Sequence, residues 1–339
     1  MLKKLLVLLF IPLIFCSCTK NNVEEISFSS WGSITETQIL KKIISDFENT
    51  NPEVKVNFIH IPQNYFQKIH LLFASSQAPD VIFINNLYLP IYAEQLEPIN
   101  NISFKDYYPQ SIEALSYNNS LLAIPRDISN LVIYYNKDLL KNSVSDLTFD
   151  NFDRNIKNYY GKGLYGISYE KDIYWARPYI LTLGFDKGIN YYKNLEGKYA
   201  PKPAQVGSST LAQMFLDKKI VFYLSGRWMY PKISESADFN FGISTFPGIV
   251  DADVSGWAIS KNSKHKESAQ KFINFLSTKE NIEYMTQTGL IVPARIDAAQ
   301  RLNNPKEKVF LDAIQKSVPH KTDKNYKKEV DRLNKEIFH

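Results

Sequence analysis

Cysteine is nearly missing from this chain: of 339 residues only Cys16 and Cys18 carry thiols, and both sit near the start. The body after residue 18 has nothing to oxidise, so its fold rests on a hydrophobic core and not on a disulfide framework. Histidine is equally sparse. His60, His70, His265, His320 and His339 are scattered, with no His-Glu-x-x-His and no paired spacing suited to a metal. No metal site and no cofactor is therefore expected. The chain also lacks a G-x-S-x-G elbow, a P-loop and a G-x-G-x-x-G turn; Gly161-Lys162-Gly163 has the remainder of neither phosphate motif. Carboxylates are so numerous that any two make a paper acid–base dyad, which carries no information, and no catalytic residue is assigned. Charge of one sign is not concentrated. The formal net charge is +5, and the run Lys316, Lys321, Lys324, Lys327 and Lys328 is broken by Asp323, Glu329 and Asp331. That reads as a solvated helix face, and a nucleic-acid partner is not expected. Past the first 20 residues no apolar run is long enough to span a bilayer.

What is present starts with the N-terminus. Lys3 and Lys4 precede an apolar stretch over 5–15, and Ser17-Cys18 follows. A positive start, a short apolar run and a small residue at the break form an export signal, placed at residues 1–17. Phe15-Cys16-Ser17-Cys18 also resembles the lipobox of bacterial lipoproteins, although Cys16 replaces the usual small residue. The resemblance implies cleavage before Cys18 and lipidation of its thiol. The mature protein is then expected outside the cytoplasm, on the periplasmic or extracellular face, tethered to the membrane. The whole sequence is 44% hydrophobic and 14% aromatic, a composition of packed globular domains. Its length allows two ordinary domains or one large one.

From residue 24 the pattern alternates. Strands are predicted over 26–31, 54–59 and 81–84, separated by helices over 34–47 and 65–75. The 81–84 run is apolar on both faces, as in a strand covered on each side. Further strands are expected over 122–125, 131–135, 220–224, 239–243 and 257–260, and helices over 175–183, 267–276 and the last thirty residues. Such alternation indicates an α/β layer structure with largely parallel sheets. With no internal repeat and no low-complexity linker, the chain reads as two α/β lobes in one body.

The chemistry that remains is aromatic. Trp31, Tyr174-Trp175, Trp228 and Trp257 lie beside turn residues and charges such as Asp172 and Arg227. Sugar rings offer apolar C–H faces and hydroxyl edges, so a site for them needs flat aromatic plates with Asp, Asn or Arg at the rim. Core packing explains any single tryptophan about as well.

A resemblance then emerges from many short segments in one order. Trp31-Gly32, the run from Phe47-Glu48 through Asn51-Pro52 to Val56, and Ala74-Ser75-Ser76-Gln77-Ala78-Pro79-Asp80-Val81 come first. Ile124-Pro125-Arg126-Asp127 and Asn136-Lys137-Asp138 follow, then Ser225-Gly226-Arg227-Trp228, Phe246-Pro247-Gly248, Gly256-Trp257-Ala258 and Gly289 to Arg295. Together they resemble family 1 extracellular solute-binding proteins, the maltose-binding-like receptors of ABC importers. Residues 141–170 carry little of that pattern, and the C-terminus looks short of the family's last helices.

The resemblance implies a type II periplasmic-binding-protein fold: two lobes, each a mainly parallel sheet flanked by helices, joined by hinge crossings. The N-terminal lobe would comprise 24–128 with 259–302, and the C-terminal lobe 132–256 with a shortened 303–339. Crossings are expected near 129–131, 255–257 and 303–305. It further implies a monomer, without enzymatic activity, that holds a small molecule, expected to be a carbohydrate, between the lobes and hands it to ABC permease subunits in the membrane.

Ligand contacts are expected from Trp31, from Asn85 and Asn86 after the 81–84 strand, and from Arg126, Asp127 and Ser129 near the first crossing. Asp172, Tyr174 and Trp175 are expected where the family places an acid and a stacking aromatic, with Trp228 and Trp257 completing the set. Turn formation serves Asn85 and Asn86 nearly as well. Alternatives stay open: the same fold holding iron, a polyamine or a phosphorylated polyol, a surface glycoside hydrolase, or a tethered adhesion protein.

Overall fold

The structure, a computed structural model, describes residues 23–100, 102–140, 147–207, 209–319 and 323–338. Cys16, Cys18 and the expected export signal lie outside the described residues. No helix among the described residues is long and apolar enough to cross a membrane.

The first sheet begins with β1 (Glu24–Ser30), β2 (Val54–His60) and β3 (Val81–Asn85), all parallel, with β1 in the middle. The helix Ile34–Thr50 connects β1 to β2. Ser33 and Glu36 cap its start reciprocally: the Glu36 N–H donates to Ser33 Oγ at 3.2 Å, and the Ser33 N–H donates to Glu36 Oε2 at 2.9 Å. Its buried stripe is Leu40, Ile43, Ile44 and Phe47, the spacing of one helical face. Phe272, from the helix Lys266–Leu276, joins the layers by meeting Phe28 at 5.3 Å and Phe47 at 5.1 Å. Residues 81–84 of β3 are fully buried, as their unbroken apolar run requires.

A small hairpin, β4 (Ser116–Tyr117) and β5 (Ser120–Leu121), precedes β6 (Ile124–Ser129), which passes through Asn130 directly into β7 (Val132–Asn136). That step leaves the first sheet and enters the second. β8 (Tyr165–Ile167), β9 (Ile220–Ser225) and β10 (Phe241–Thr245) complete the second sheet in the order β10-β7-β9-β8. β11 (Val250–Ile259) then returns to the first sheet, where β12 (Ser317–Pro319) pairs with its opening residues.

Both sheets are mixed. The parallel character expected from strand–helix alternation holds for β2-β1-β3 and β8-β9, whereas β3-β11, β6-β11, β7-β9 and β7-β10 are antiparallel. The reason is topological: a chain passing from one sheet to the other and back enters in the reverse sense. Ser255, Gly256 and Trp257, expected at a crossing, lie within β11, paired with β3 on one side and β6 on the other. Residues 253–259 pair with β6 and β3 of the first sheet, whereas Val250 packs in the cluster that holds Phe246 and Tyr179, so the chain has entered the first sheet by Asp253. Gly256 is needed where β6 comes closest, since a Cβ there would stand 2.1 Å from the Ile124 carbonyl oxygen.

β7 alternates cleanly, as a strand covered on both faces should. Val132 and Tyr134 point to a layer that includes Phe215, Ile233 and Phe310, and Ile133 points to a layer holding Phe152, Tyr179 and Tyr192. The helix Tyr326–Phe338 closes that second layer: Phe338 is buried, its ring 6.1 Å from that of Tyr192.

Candidate functional site

Strand ends from both lobes meet at one cleft of about 380 Å³, within the usual range for small-molecule sites. From the first lobe it receives Trp31, Glu36, Asn85, Arg126, Asp127 and Ser129; from the second, Tyr174 and Trp228. Asp253 and Ser255 of β11 form the floor between them, with Leu290 and Ile291 beside.

Trp31 follows β1, at the carboxyl end where open α/β sheets present their ligand sites. Its indole is braced by three rings: Tyr65 at 5.6 Å, Phe66 at 5.3 Å and Phe83 at 4.9 Å. Asn85 ends β3, and its side-chain oxygen accepts the Tyr88 N–H at 3.1 Å. Arg126 is buried, yet its charge is matched on the spot. Its Nε donates to Asp127 Oδ2 at 2.5 Å, Nη1 lies 3.7 Å from Glu36 Oε1, and the guanidinium lies over the Phe83 ring at 4.4 Å. Burial pushes the Asp127 carboxyl above its ordinary range, with the Arg126 charge pulling the other way.

On the second lobe Tyr174 stands at the start of the helix Ile173–Leu183, where its hydroxyl hydrogen-bonds the Asp253 carboxylate. Burial, then Asp253, holds that phenol well above its ordinary range, so it is a neutral donor at any physiological pH. Trp228 sits in the tight turn Arg227–Met229 after β9. Its indole rests on the backbone of Gly226, so closely that a Cβ on Gly226 would be 1.9 Å from Trp228 Cζ3. Neighbouring Arg227 binds the lobes together: it donates to the Ile291 carbonyl oxygen and its Nη2 meets Glu307 Oε1 at 2.5 Å.

Four expected contacts stand elsewhere. Asn86 is buried and continues the β3–β11 pairing: its N–H donates to the Val254 carbonyl at 2.9 Å and its Oδ1 accepts the Val254 N–H at 3.1 Å. Asp172 caps a helix. Its Oδ1 accepts the Tyr174 N–H at 2.8 Å, and Oδ2 accepts from Asn334 at 3.0 Å, so it positions Tyr174 and is not on the cleft wall. Trp175 packs edge-on against Tyr174 at 5.3 Å, half-buried against the second lobe's core and outside the cleft lining. Trp257 is 0% exposed in β11, opposite Phe83 and Ile124, and is a core residue. Its neighbours Ser255 and Gly256 suggested a turn, but this sheet uses them as strand.

Glu36, Asp253, Ser255, Leu290 and Ile291 were not anticipated. Glu36 was legible only as the fourth residue of a capping box. Asp253 and Ser255 are the half-buried alternates of a strand whose Ala252 and Val254 face the core, a period-2 signal present in the sequence. Among the described residues, no group of three or more His, Cys, Asp or Glu is placed to hold a metal ion.

A family model of bacterial extracellular solute-binding proteins matches residues 31–283. A maltodextrin-binding protein of Bacillus subtilis (strain 168) is 25% identical over 361 aligned positions, covering 90% of this chain and 83% of that protein. A maltooligosaccharide ABC transporter solute-binding lipoprotein of Streptococcus pneumoniae (strain ATCC BAA-255 / R6) is 26% identical, over 53% of this chain and 51% of that protein. In fold, the chain is similar to an ABC substrate-binding protein from Listeria monocytogenes solved in complex with cycloalternan. That likeness has a TM-score of 0.80 at 21% identity, covering 93% of this chain and 92% of the other.

Proposed function

We propose, from the premise that the chain belongs to the bacterial extracellular solute-binding protein family, that it is the sugar-binding subunit of an ABC importer. The observation that carries this reading is the cleft itself: one tryptophan from each lobe, Trp31 and Trp228, in the wall of a single hollow that also holds carboxylates, hydroxyls and an amide. Aromatic plates suit the apolar faces of a pyranose, and Asp127, Asp253, Asn85 and Ser255 suit its hydroxyl edges. The related maltodextrin- and maltooligosaccharide-binding proteins support a glucan-type saccharide as the ligand.

The ligand contacts are Trp31, Asn85, Arg126, Asp127, Ser129, Tyr174 and Trp228, with Glu36, Asp253 and Ser255 added. The lobes are 24–128 with about 253–302 and 132–250 with 303–338, pivoting at Asn130, at 251–252 and at 303–305. A sugar touches both walls only when they are near, so it favours the closed form by its differential affinity. Closure then offers a joint surface to the permease, and no bond is made or broken in this subunit. Lipidation at Cys18 holds it to the membrane on its periplasmic or extracellular face; a single acyl chain anchors weakly, so more than one is expected there.

Thermal denaturation of the mature chain against a saccharide panel tests the reading. A cognate sugar at a hundredfold its Kd adds about 2.7 kcal/mol of stability, an upward shift of several degrees. No shift with any mono- or oligosaccharide would overturn it. Loss of radiolabelled fatty acid incorporation in Cys18→Ala tests the anchor.

A further inference from the structure

Two side chains of the second lobe reach across to one segment of the first. Arg227 is 3% exposed and donates through Nη1 to the Ile291 carbonyl oxygen. Its Nη2 meets Glu307 Oε1 at 2.5 Å, and its guanidinium lies 5.7 Å from the centre of the Phe310 ring. Pro231 stands over Gly289, where a Cβ would come within 3.0 Å of Pro231 Cγ. Gly289 has a φ of +74°, which glycine adopts without steric cost. Beside these grips, the helix Tyr230–Ser236 and residues 286–289 part around a hollow of about 460 Å³, so the lobes meet here at points and not across a packed face. Ile291 in turn leads into a segment that runs along β6. The Ile128 N–H donates to the Val292 carbonyl at 2.9 Å, and the Ala294 N–H donates to the Arg126 carbonyl at 3.0 Å, with Asp127 opposite Pro293. Arg126, Asp127, Leu290 and Ile291 all line the cleft. A line of bonds therefore runs from the Trp228 turn, through Arg227 and residues 291–294, to the Arg126–Asp127 wall, in addition to the three chain crossings.

We infer that Arg227 is a positioning residue for the sugar site: it pins the turn that carries Trp228 to the segment that backs Arg126 and Asp127, and so sets the spacing between the two walls. The inference rests on the sugar-binding reading above and deepens it. Trp228 stacks on a pyranose only when it stands at a fixed height over the groups that take the hydroxyl edges, and such a height has to be held by residues behind the contact. A guanidinium suits that task. Its planar fork reaches a carboxylate and a carbonyl at once, whereas a lysine ammonium is a point charge on a flexible stem. Arg227→Lys therefore keeps a charge opposite Glu307 and gives up the two-acceptor geometry.

The body after residue 18 has no cysteine, so spin labels can be placed at chosen sites in the mature chain carrying Cys18→Ala. Leu71→Cys and Phe185→Cys put them at exposed positions on one helix of each lobe, and pulsed electron paramagnetic resonance reads the lobe separation without ligand. The distance distribution should broaden about twofold in Arg227→Lys. It should keep the parent width in Asp80→Asn, a change in the first lobe where Asp80 accepts from Ser27 and Ser263. Calorimetry with maltotriose then reads the coupling. The factor by which Trp228→Ala weakens binding should be at least about threefold smaller in the Arg227→Lys background than in the parent. Equal widths in the parent and Arg227→Lys, equal factors in the two backgrounds, or a broadening in Asp80→Asn as large as in Arg227→Lys would each overturn the inference. If Arg227→Lys does not fold, Pro231→Ala, which removes the second grip, takes its place in the same comparisons. A parent chain that binds no maltotriose counts against the glucan reading alone, because the ligand-free distances decide the pin.

Discussion

The two walls of the cleft are built on different principles. On the first lobe, Trp31 is clasped by Tyr65, Phe66 and Phe83, and beneath it Arg126 is locked between Asp127 and Glu36. Each of these cleft-facing groups is held by the lobe's own core. On the second lobe, Trp228 lies on the Gly226 backbone at the edge of that lobe's core, and Tyr174, at the same edge, is set by the Asp172 cap and by Asp253 from the crossing strand. The first wall is a preformed template, while the second is a plate mounted near the hinge. In the proposed clamp the first wall would fix specificity, and the approach of the second would convert binding into movement.

The sharpest way to break this contrast is at Arg227, which ties the second wall to the first lobe's Ile291 and to Glu307 just after the last crossing. Arg227→Met leaves Glu307, which keeps only its bond from Asn304 Nδ2 at 3.0 Å, without its ion-pair partner in a half-buried position, an effect of about 2–3 kcal/mol on stability. Urea denaturation should show the loss, and small-angle scattering should show a more open ligand-free molecule. An unchanged midpoint would mean that the lobes do not lean on this residue.

The tryptophans come next and should fail in different ways. Trp31→Ala removes the centre of an aromatic cluster, so it should cost about 2–3 kcal/mol of stability as well as sugar affinity. Trp228→Ala should cost about 1–3 kcal/mol of binding, with a stability loss under about 1 kcal/mol. Calorimetry and urea titration on both variants separate these outcomes. If Trp228→Ala unfolds as readily as Trp31→Ala, the second plate is also core and the contrast between walls disappears.

The same contrast explains what the sequence disclosed. The first lobe's strands and helices follow one another locally, so its apolar runs over 26–31, 34–47, 54–59 and 81–84 were readable. The order β10-β7-β9-β8 pairs strands far apart in the chain, and only the fold assembles it. At the site, Trp31, Arg126, Asp127, Tyr174 and Trp228 were legible because large or charged side chains stood beside turns. Asn86 and Asp172 misled because Asn and Asp satisfy backbone groups as readily as ligands, and both do so here. Trp257 misled because Gly256 resembles a turn residue, whereas it serves the close approach of β6. Glu36 escaped notice because one carboxylate performs two tasks: one oxygen caps a helix while the other lies towards Arg126.

The smallest effect concerns how the template lobe is fastened at the end remote from the cleft. Asp80 accepts from the Ser27 N–H at 2.8 Å, from the Ser27 hydroxyl at 2.7 Å and from the Ser263 hydroxyl at 2.5 Å, linking β1 to the segment after β11. Burial alone would raise this carboxyl, but the bonds from Ser263 and Ser27 outweigh it and hold the group below its ordinary range. A lowered folded-state pKa means that the carboxylate stabilises the fold above the unfolded value of about 3.9, and that the gain is lost as pH falls through the lower folded value. Asp80→Asn should therefore cost about 1 kcal/mol at pH 7. The gap to the parent chain should narrow as the medium is acidified below about pH 4. Urea midpoints of both proteins at pH 7 and pH 3 measure it. A gap of the same size at both values would show that the ionised form of Asp80 has no advantage over the protonated one, so that the lowered pKa contributes nothing to the fastening of the first lobe.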